Sequence, residues 1–322
     1  MIWMKAEDSS KAKAPAPRKE EKVVPPAAGS LSKLRFPELP MKQAIAFPLV
    51  VLFIGLLIVG YTLATTGSPL HLGIDFKGGT MVTINTDKSD QALQDEFSGF
   101  PLTLITHGSG GEKMLQFSDM SKDRKSDLAT YVNGHYTDPL IESVGSTFSA
   151  ANQVQAVIAV VVAFIGMAIT VFIIFRSPVP SAAVVMSAFS DIVFAMALMD
   201  LFGIQLTFGT LAALLMLIGY SVDTDILLTT KVLGERKYLE KKIATCRTTG
   251  LTMTGAAIVA FAVLFLVSSF AGVVGLSAIP VLSGIATVML FGLVADVINT
   301  WFFNAGLLKW YMESPAARAK YG

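Results

Sequence analysis

AIAFPLVVLFIGLLIVGYTLAT, residues 44–65, contains no charged side chain. A helix needs about 20 apolar residues to cross the hydrocarbon core of a bilayer. The stretch is therefore a membrane span, set at 43–66. Some 85 residues of soluble character follow it. Five more apolar runs then come close together, at 153–175, 181–202, 205–230, 248–270 and 281–308. The third and fourth spans meet at Gly203-Ile204, which predicts a tight helical hairpin. Composition agrees with a lipid-facing surface. Hydrophobic residues make up 53% and charged residues 15%, against about 25% charged in soluble domains, and mean hydropathy is +0.60.

Lys and Arg test this layout. Nine precede the first span, Arg176 lies between spans two and three, six lie between spans four and five, and three follow span six. The connections at 203–204 and 271–280 have none. Cytoplasmic loops carry the Lys/Arg excess, and long domains are exempt from the count. Both termini are thus expected in the cytoplasm, with the polar region outside. The fold class is an α-helical multi-pass membrane protein with an α+β extracytoplasmic domain. Residues 1–42 are rich in Lys, Ala and Pro and read as a disordered cytoplasmic tail. The first apolar run starts too late and is too long for a cleavable signal peptide. Residues 151–311 hold spans two to six, and 312–322 form a second cytoplasmic tail.

Between 67 and 150 the pattern becomes that of a soluble domain. GTMVTINT (79–86), PLTLITH (101–107), KMLQFSD (113–119) and PLIESVGST (139–147) read as strands. SDQALQDEF (89–97) and SKDRKSDLATYVNGHY (121–136) read as helices, and a GSGG turn joins the middle strands. The order β-α-β-β-α-β predicts a ferredoxin-like, split βαβ arrangement. Gly73 and Gly145 lie at its two junctions and are expected to act as pivots for a rigid-body rotation of the domain.

Several function classes are disfavoured. A net charge of +1 gives no broad nucleic-acid surface. Cys246 is the single cysteine, so no internal disulfide forms. His71, His107 and His135 lack metal-ligand spacing. No G-x-x-x-x-G-K-[ST] occurs; Lys77-Gly78-Gly79-Thr80 has the composition without the spacing. Neither a metal nor a cofactor is expected, and any work must draw on an ion gradient or a partner.

Ionisable groups inside spans are costly and mark functional positions. Asp191, Asp223, Asp225 and Asp296 qualify, whereas Asp200 lies near the outer end of its span, within reach of water. Asp223 and Asp225 are about 200° apart on a helix and face different ways. Behind Asp223 run Gly219, Met216, Ala212 and Gly209, a row that permits close helix approach. Behind Asp225 run Ser221, Ile218, Leu214 and Leu211, a row read as lipid-facing. Asp223 is therefore expected to be the buried group, with Asp191 and Asp296 pointing into the same bundle. Arg247, at the cytoplasmic mouth of span five, is the cation whose approach would change the protonation of such an aspartate. The plainer role for these aspartates is hydrogen bonding between helices.

GIDFKGGT (73–80), where the first span meets the outside domain, resembles the signature of the SecD and SecF export proteins, with Gly73, Asp75, Gly78 and Gly79 carrying it. IGYSVDTDILLTTK (218–231) and CRTTGLTMT (246–254) resemble further segments in their archaeal SecF form, and Arg247 occupies the family's arginine position. The resemblance covers about 70–310. It implies half of an RND-type transporter that pairs with a SecD-like subunit and assists the SecYE channel in moving exported polypeptides across the cytoplasmic membrane. It also implies proton-driven motion of the outside domain, with aspartates in span four and an arginine in span five tied to the proton. Bacterial members have Asn-Asp where this chain has Asp223-Thr224, so the acidic position departs from their pattern. Two rivals stand beside this reading. An RND-type exporter of lipids or small molecules would usually carry both halves on one chain. An intramembrane aspartyl protease would need Asp223 and Asp296 as a dyad, but Tyr220-x-x-Asp223 and Gly-Leu-Val-Ala-Asp (292–296) fit neither of its motifs.

Overall fold

A computed structural model describes residues 40–107, 111–234, 238–270, 279–315 and 317. The N-terminal tail up to 39, most of the GSGG turn, most of the 271–280 connection and most of the C-terminal tail lie outside the described residues. Six helices are long and apolar enough to cross a membrane. They are α1 (Met41–Thr66), α5 (Ser146–Phe175), α6 (Pro178–Phe202), α7 (Phe208–Leu233), α8 (Leu239–Ser269), and α9 (Pro280–Ile298) continued by a π segment (Asn299–Asn304) and α10 (Ala305–Glu313). The short helix α2 (Ile74–Lys77) leads into the α+β domain.

The helix ends follow local chemistry. Pro178 sits in the first turn of α6, where its missing N–H is harmless. Gly203 ends α6 at φ 68°, the left-handed cap that glycine favours. Thr207 and Thr210 exchange hydrogen bonds at the start of α7, Thr207 N donating to Thr210 Oγ1 (2.8 Å) and Thr210 N to Thr207 Oγ1 (3.2 Å). The hairpin between α6 and α7 is longer than predicted, because Leu206 forms a parallel bridge with Leu72 and its backbone N donates to His71 O (2.7 Å). Those residues extend the loop to serve a distant segment.

α9 packs against α6, α7 and α8, and α1 lies on α6 and the π segment. Val184, Ala188, Leu217, Leu228, Val288 and Met289 are among the buried centre of this bundle. In contrast, α1 and α5 expose long apolar rows such as Phe53, Leu57, Val157 and Ile173, as lipid-facing helices do.

The domain contains β1 (Gly79–Asn85), α3 (Asp90–Glu96), β2 (Leu102–His107), β3 (Glu112–Phe117), α4 (Lys122–His135) and β4 (Leu140–Val144). The sheet order is β2-β3-β1-β4, with every neighbouring pair antiparallel. Each β-α-β unit therefore holds a strand of the other between its own two, which is the interleaving a split βαβ arrangement requires. Val82, Ile84, Leu115 and Phe117 share one buried cluster with Leu93, Phe97, Leu128 and Val132, so both helices cover the same face of the sheet. Glu96 closes the cluster's rim. It accepts from Lys88 Nζ (2.7 Å), Tyr136 OH (2.9 Å) and Tyr131 OH (3.1 Å). Partial burial alone would raise its carboxyl, but the Lys88 ammonium and the two phenols hold it below the ordinary range.

Candidate functional site

Three aspartates with no solvent exposure lie inside the bundle: Asp191 on α6, Asp225 on α7 and Asp296 on α9. Asp191 Oδ1 accepts from Asn299 Nδ2 (2.6 Å), and its Oδ2 accepts from Ser221 Oγ. Asp225 Oδ1 accepts from both Asn304 Nδ2 (2.7 Å) and Thr300 Oγ1 (2.8 Å). Asp296 accepts from the same Thr300 hydroxyl (3.1 Å) and, more weakly, from Thr254 Oγ1 of α8 (3.4 Å). One hydroxyl thus stands between Asp225 and Asp296. Every donor described on the three carboxylates is a neutral hydroxyl or amide.

Helical spacing explains how few elements build this cluster. Ser221, Asp225 and Thr229 repeat every four residues on one face of α7, and Ser187 and Asp191 do so on α6. Asp296, Thr300 and Asn304 repeat likewise. At about 3.6 residues per turn, each four-residue step rotates about 40° around the axis. The π segment Asn299–Asn304 widens the turn and keeps Asn304 and Thr300 on Asp225 while Asn299 reaches Asp191. Single π turns inside α-helices are frequent at functional positions.

The structure reverses one expectation. Asp225, read as lipid-facing, is fully buried, and Asp223, read as the buried group, is exposed. The row behind Asp225 turns inward: Ser221 is 0% and Ile218 4% exposed. The small-residue row Ala212, Met216 and Gly219 turns outward with Asp223. Small residues do mark a close helix approach; Gly209, at the start of the row, meets Val281 and Ile285 of α9, but Ala212, Met216 and Gly219 are exposed among the described residues. Arg247 stands half-buried on α8. The cluster's described hydrogen bonds involve neither Asp223 nor Arg247. A dyad of Asp223 with Asp296 is not assembled, since one faces out and the other in. Asp200 meets His71 Nδ1 at 3.1 Å at the outer end of α6. Sequence reasoning missed Thr254, Thr300 and Asn304; the four-residue spacing after Asp296 was the available signal.

The glycine signature forms the joint between domain and bundle. Gly73 N donates to Leu206 O (2.9 Å), and a Cβ at Gly73 would lie 2.9 Å from that oxygen and 3.1 Å from Thr207 Cγ2. Asp75 Oδ2 accepts from Phe208 N (2.9 Å), the first residue of α7. Two side chains of α5 hold the same turn: Asn152 Nδ2 donates to Asp75 O (2.9 Å) and Gln153 Nε2 to Phe76 O. Phe76 itself is fully buried. Gly73 is thus clamped rather than a loose pivot, whereas Gly145 has open space around it. An acidic side chain at a helix N-terminus satisfies a free N–H and complements the helix dipole. Asp75→Ala is expected to destabilise the chain by about 1 kcal/mol, and Asp75→Asn by clearly less. Thermal unfolding of the purified protein in detergent checks this; equal losses for both variants would remove the capping role.

Comparison with known proteins agrees with this architecture. The family model described as protein export membrane protein SecD/SecF, C-terminal, matches residues 124–314, and the SecD/SecF GG motif matches residues 64–90. The protein-export membrane protein SecF of Methanolacinia petrolearia is 42% identical over 272 residues, covering 84% of this chain and 94% of that protein. SecF of Haloferax volcanii is 40% identical, with 84% and 92% covered. The crystal structure of SecDF from Thermus thermophilus superposes with a TM-score of 0.73 at 19% identity, covering 88% of this chain. This chain spans 40% of that one's length. The chain therefore belongs to the SecF family of protein-export membrane proteins.

Proposed function

We propose that this multi-pass membrane protein is one half of a two-part apparatus that assists protein export, with a SecD-like subunit as its other half. The observation that carries this reading is the outward row of α7. Asp223, Gly219, Met216 and Ala212 are exposed on a membrane-spanning helix. A carboxylate is costly against lipid and normally faces protein or a water-filled cavity. Small residues beside it admit a close helix neighbour. A homologous half seated on this row satisfies both demands, and it matches a relationship in which this chain spans 40% of a solved SecDF chain.

The distribution of Lys and Arg supports cytoplasmic termini and an extracytoplasmic α+β domain. Lacking a phosphate-binding loop in its sequence, the chain would couple export to an ion gradient through the carboxylates of α6, α7 and α9. Gly73 and Asp75 join that bundle to the outside domain at the start of α7, so a shift of α7 reaches the domain directly. The SecYE channel and its exported polypeptides are the partners on which this motion would act. Membrane vesicles lacking the chain should export a secretory precursor poorly and regain export when it is supplied with its SecD-like partner. Unchanged export on its removal and return would reject the reading.

A further inference from the structure

We propose that the groove between α5 and α6 binds one hydrocarbon chain of an anionic phospholipid, with the lipid's phosphate at Arg176. The proposal is independent of the pairing with a second half.

The groove has a volume of about 480 Å³. Phe164 and Phe172 of α5 stand on one side of it, and Pro178, Ala182, Met186 and Phe189 of α6 on the other. Ser181 is the one polar side chain on its lining, and that hydroxyl is already used, donating to Ser177 O (2.8 Å). A polar ligand would lose its bonds to water there and find little in return. The lining matches a hydrocarbon.

Length and ends narrow the choice. From Pro178 to Phe189 is eleven residues of α6, about 16 Å at 1.5 Å per residue. Half of a bilayer's hydrocarbon core is about 15 Å. The groove starts at the first turn of α6, at the end of the spans farther from the α+β domain. It stops where the rings of Phe164 and Phe189 pack edge-on, their centroids 6.3 Å apart. One chain from one leaflet fits this length. A helix of a second polypeptide would need a groove that runs the full span.

The outer end of the groove adds the charge. Arg176 lies four residues beyond Phe172 and two before Pro178, where one span ends and the next begins. It is exposed and caps α5 in the left-handed conformation, φ 49°, a place where glycine is the usual residue. Backbone strain of this kind collects at ligand clamps. A guanidinium stays charged at any working pH and binds phosphate oxygens in pairs. At the level of lipid headgroups it supplies the polar half of a site whose apolar half is the groove.

The test is native mass spectrometry of the purified, delipidated full-length chain in detergent, titrated with phosphatidylglycerol or phosphatidylcholine. One phosphatidylglycerol per chain is expected to bind, half-saturating at a concentration about fivefold below that of phosphatidylcholine. Arg176→Gln should remove this preference and keep the lipid. Ala182→Trp, which fills the groove from an exposed position, should abolish binding. Val157→Trp enlarges an exposed residue on the half of α5 nearer the α+β domain and should leave binding unchanged. Equal affinity of the unmodified chain for the two lipids, or equal binding by Ala182→Trp and Val157→Trp, overturns the proposal. Loss of the lipid when the chain is purified with its SecD-like partner would give the groove to the partner and overturn it as well.

Discussion

Asp225→Asn is expected to leave the chain folded and bound to its partner, and to lower export to the level of vesicles that lack the chain. The substitution is nearly isosteric. An asparagine carbonyl can still accept from Asn304 Nδ2 and Thr300 Oγ1, the two bonds that Asp225 Oδ1 receives. Its NH2 would occupy the place of Oδ2, which accepts no described hydrogen bond. Packing and hydrogen bonding therefore survive, while the only ionisable function at that point is removed. A buried group kept merely for interhelical bonding would lose nothing by this change. One kept for ion coupling would lose everything. Normal export by Asp225→Asn vesicles would assign the cluster a structural role.

The second large effect is on stability. Gly79→Ala should cost about 3 kcal/mol or more and unfold the α+β domain. Gly79 has φ 122°, a backbone conformation that L side chains rarely adopt. A Cβ there would also stand 2.2 Å from the backbone oxygen of Phe117 on β3. That oxygen belongs to a strand paired with β1 along its length, so it cannot move without breaking the ladder. Gly145→Ala is the control. Its φ is −74° and a Cβ meets nothing within 4 Å, so stability should change by no more than about 0.5 kcal/mol. Protease protection of the full chain in detergent reads both. Survival of an intact domain in Gly79→Ala would show that the first strand is not anchored as described.

Much of the architecture was legible because it depends on local signals. Runs such as 44–65 have a length set by bilayer thickness, and the domain's strands and helices announce themselves by period and by caps such as Ser89, which accepts from Ala92 N (3.2 Å). The site was less legible, for a reason of geometry. Counting along α7 separates the face of Asp223 from that of Asp225, but it cannot tell which face its own bundle covers. Gly219 and Met216 look like packing residues, and on the proposed reading they are, toward a second subunit. Ser221 gave the better clue to the inward face, since a serine within a span needs a partner and finds it in Asp191. The π segment had no local signature either; it is visible only where Asn299 and Asn304 both turn inward. The Leu72–Leu206 bridge escaped for the same cause, because it joins segments far apart in the chain.

The division of α7 into an inward face around Asp225 and an outward face around Asp223 is best tested by cysteine crosslinking in membranes. Cys246 would be replaced by Ser, and single cysteines placed at Gly219 and Leu217. Gly219 is exposed, and Leu217 is 0% exposed. With a maleimide that carries a photoreactive benzophenone, which inserts into C–H bonds of whatever lies beside it, Gly219→Cys is expected on irradiation to join the chain to a second, homologous polypeptide, and Leu217→Cys to give no such product. Failure of Gly219→Cys to crosslink in membranes that contain the partner, or an equal product from Leu217→Cys, would contradict the account of this chain as one half of a paired assembly.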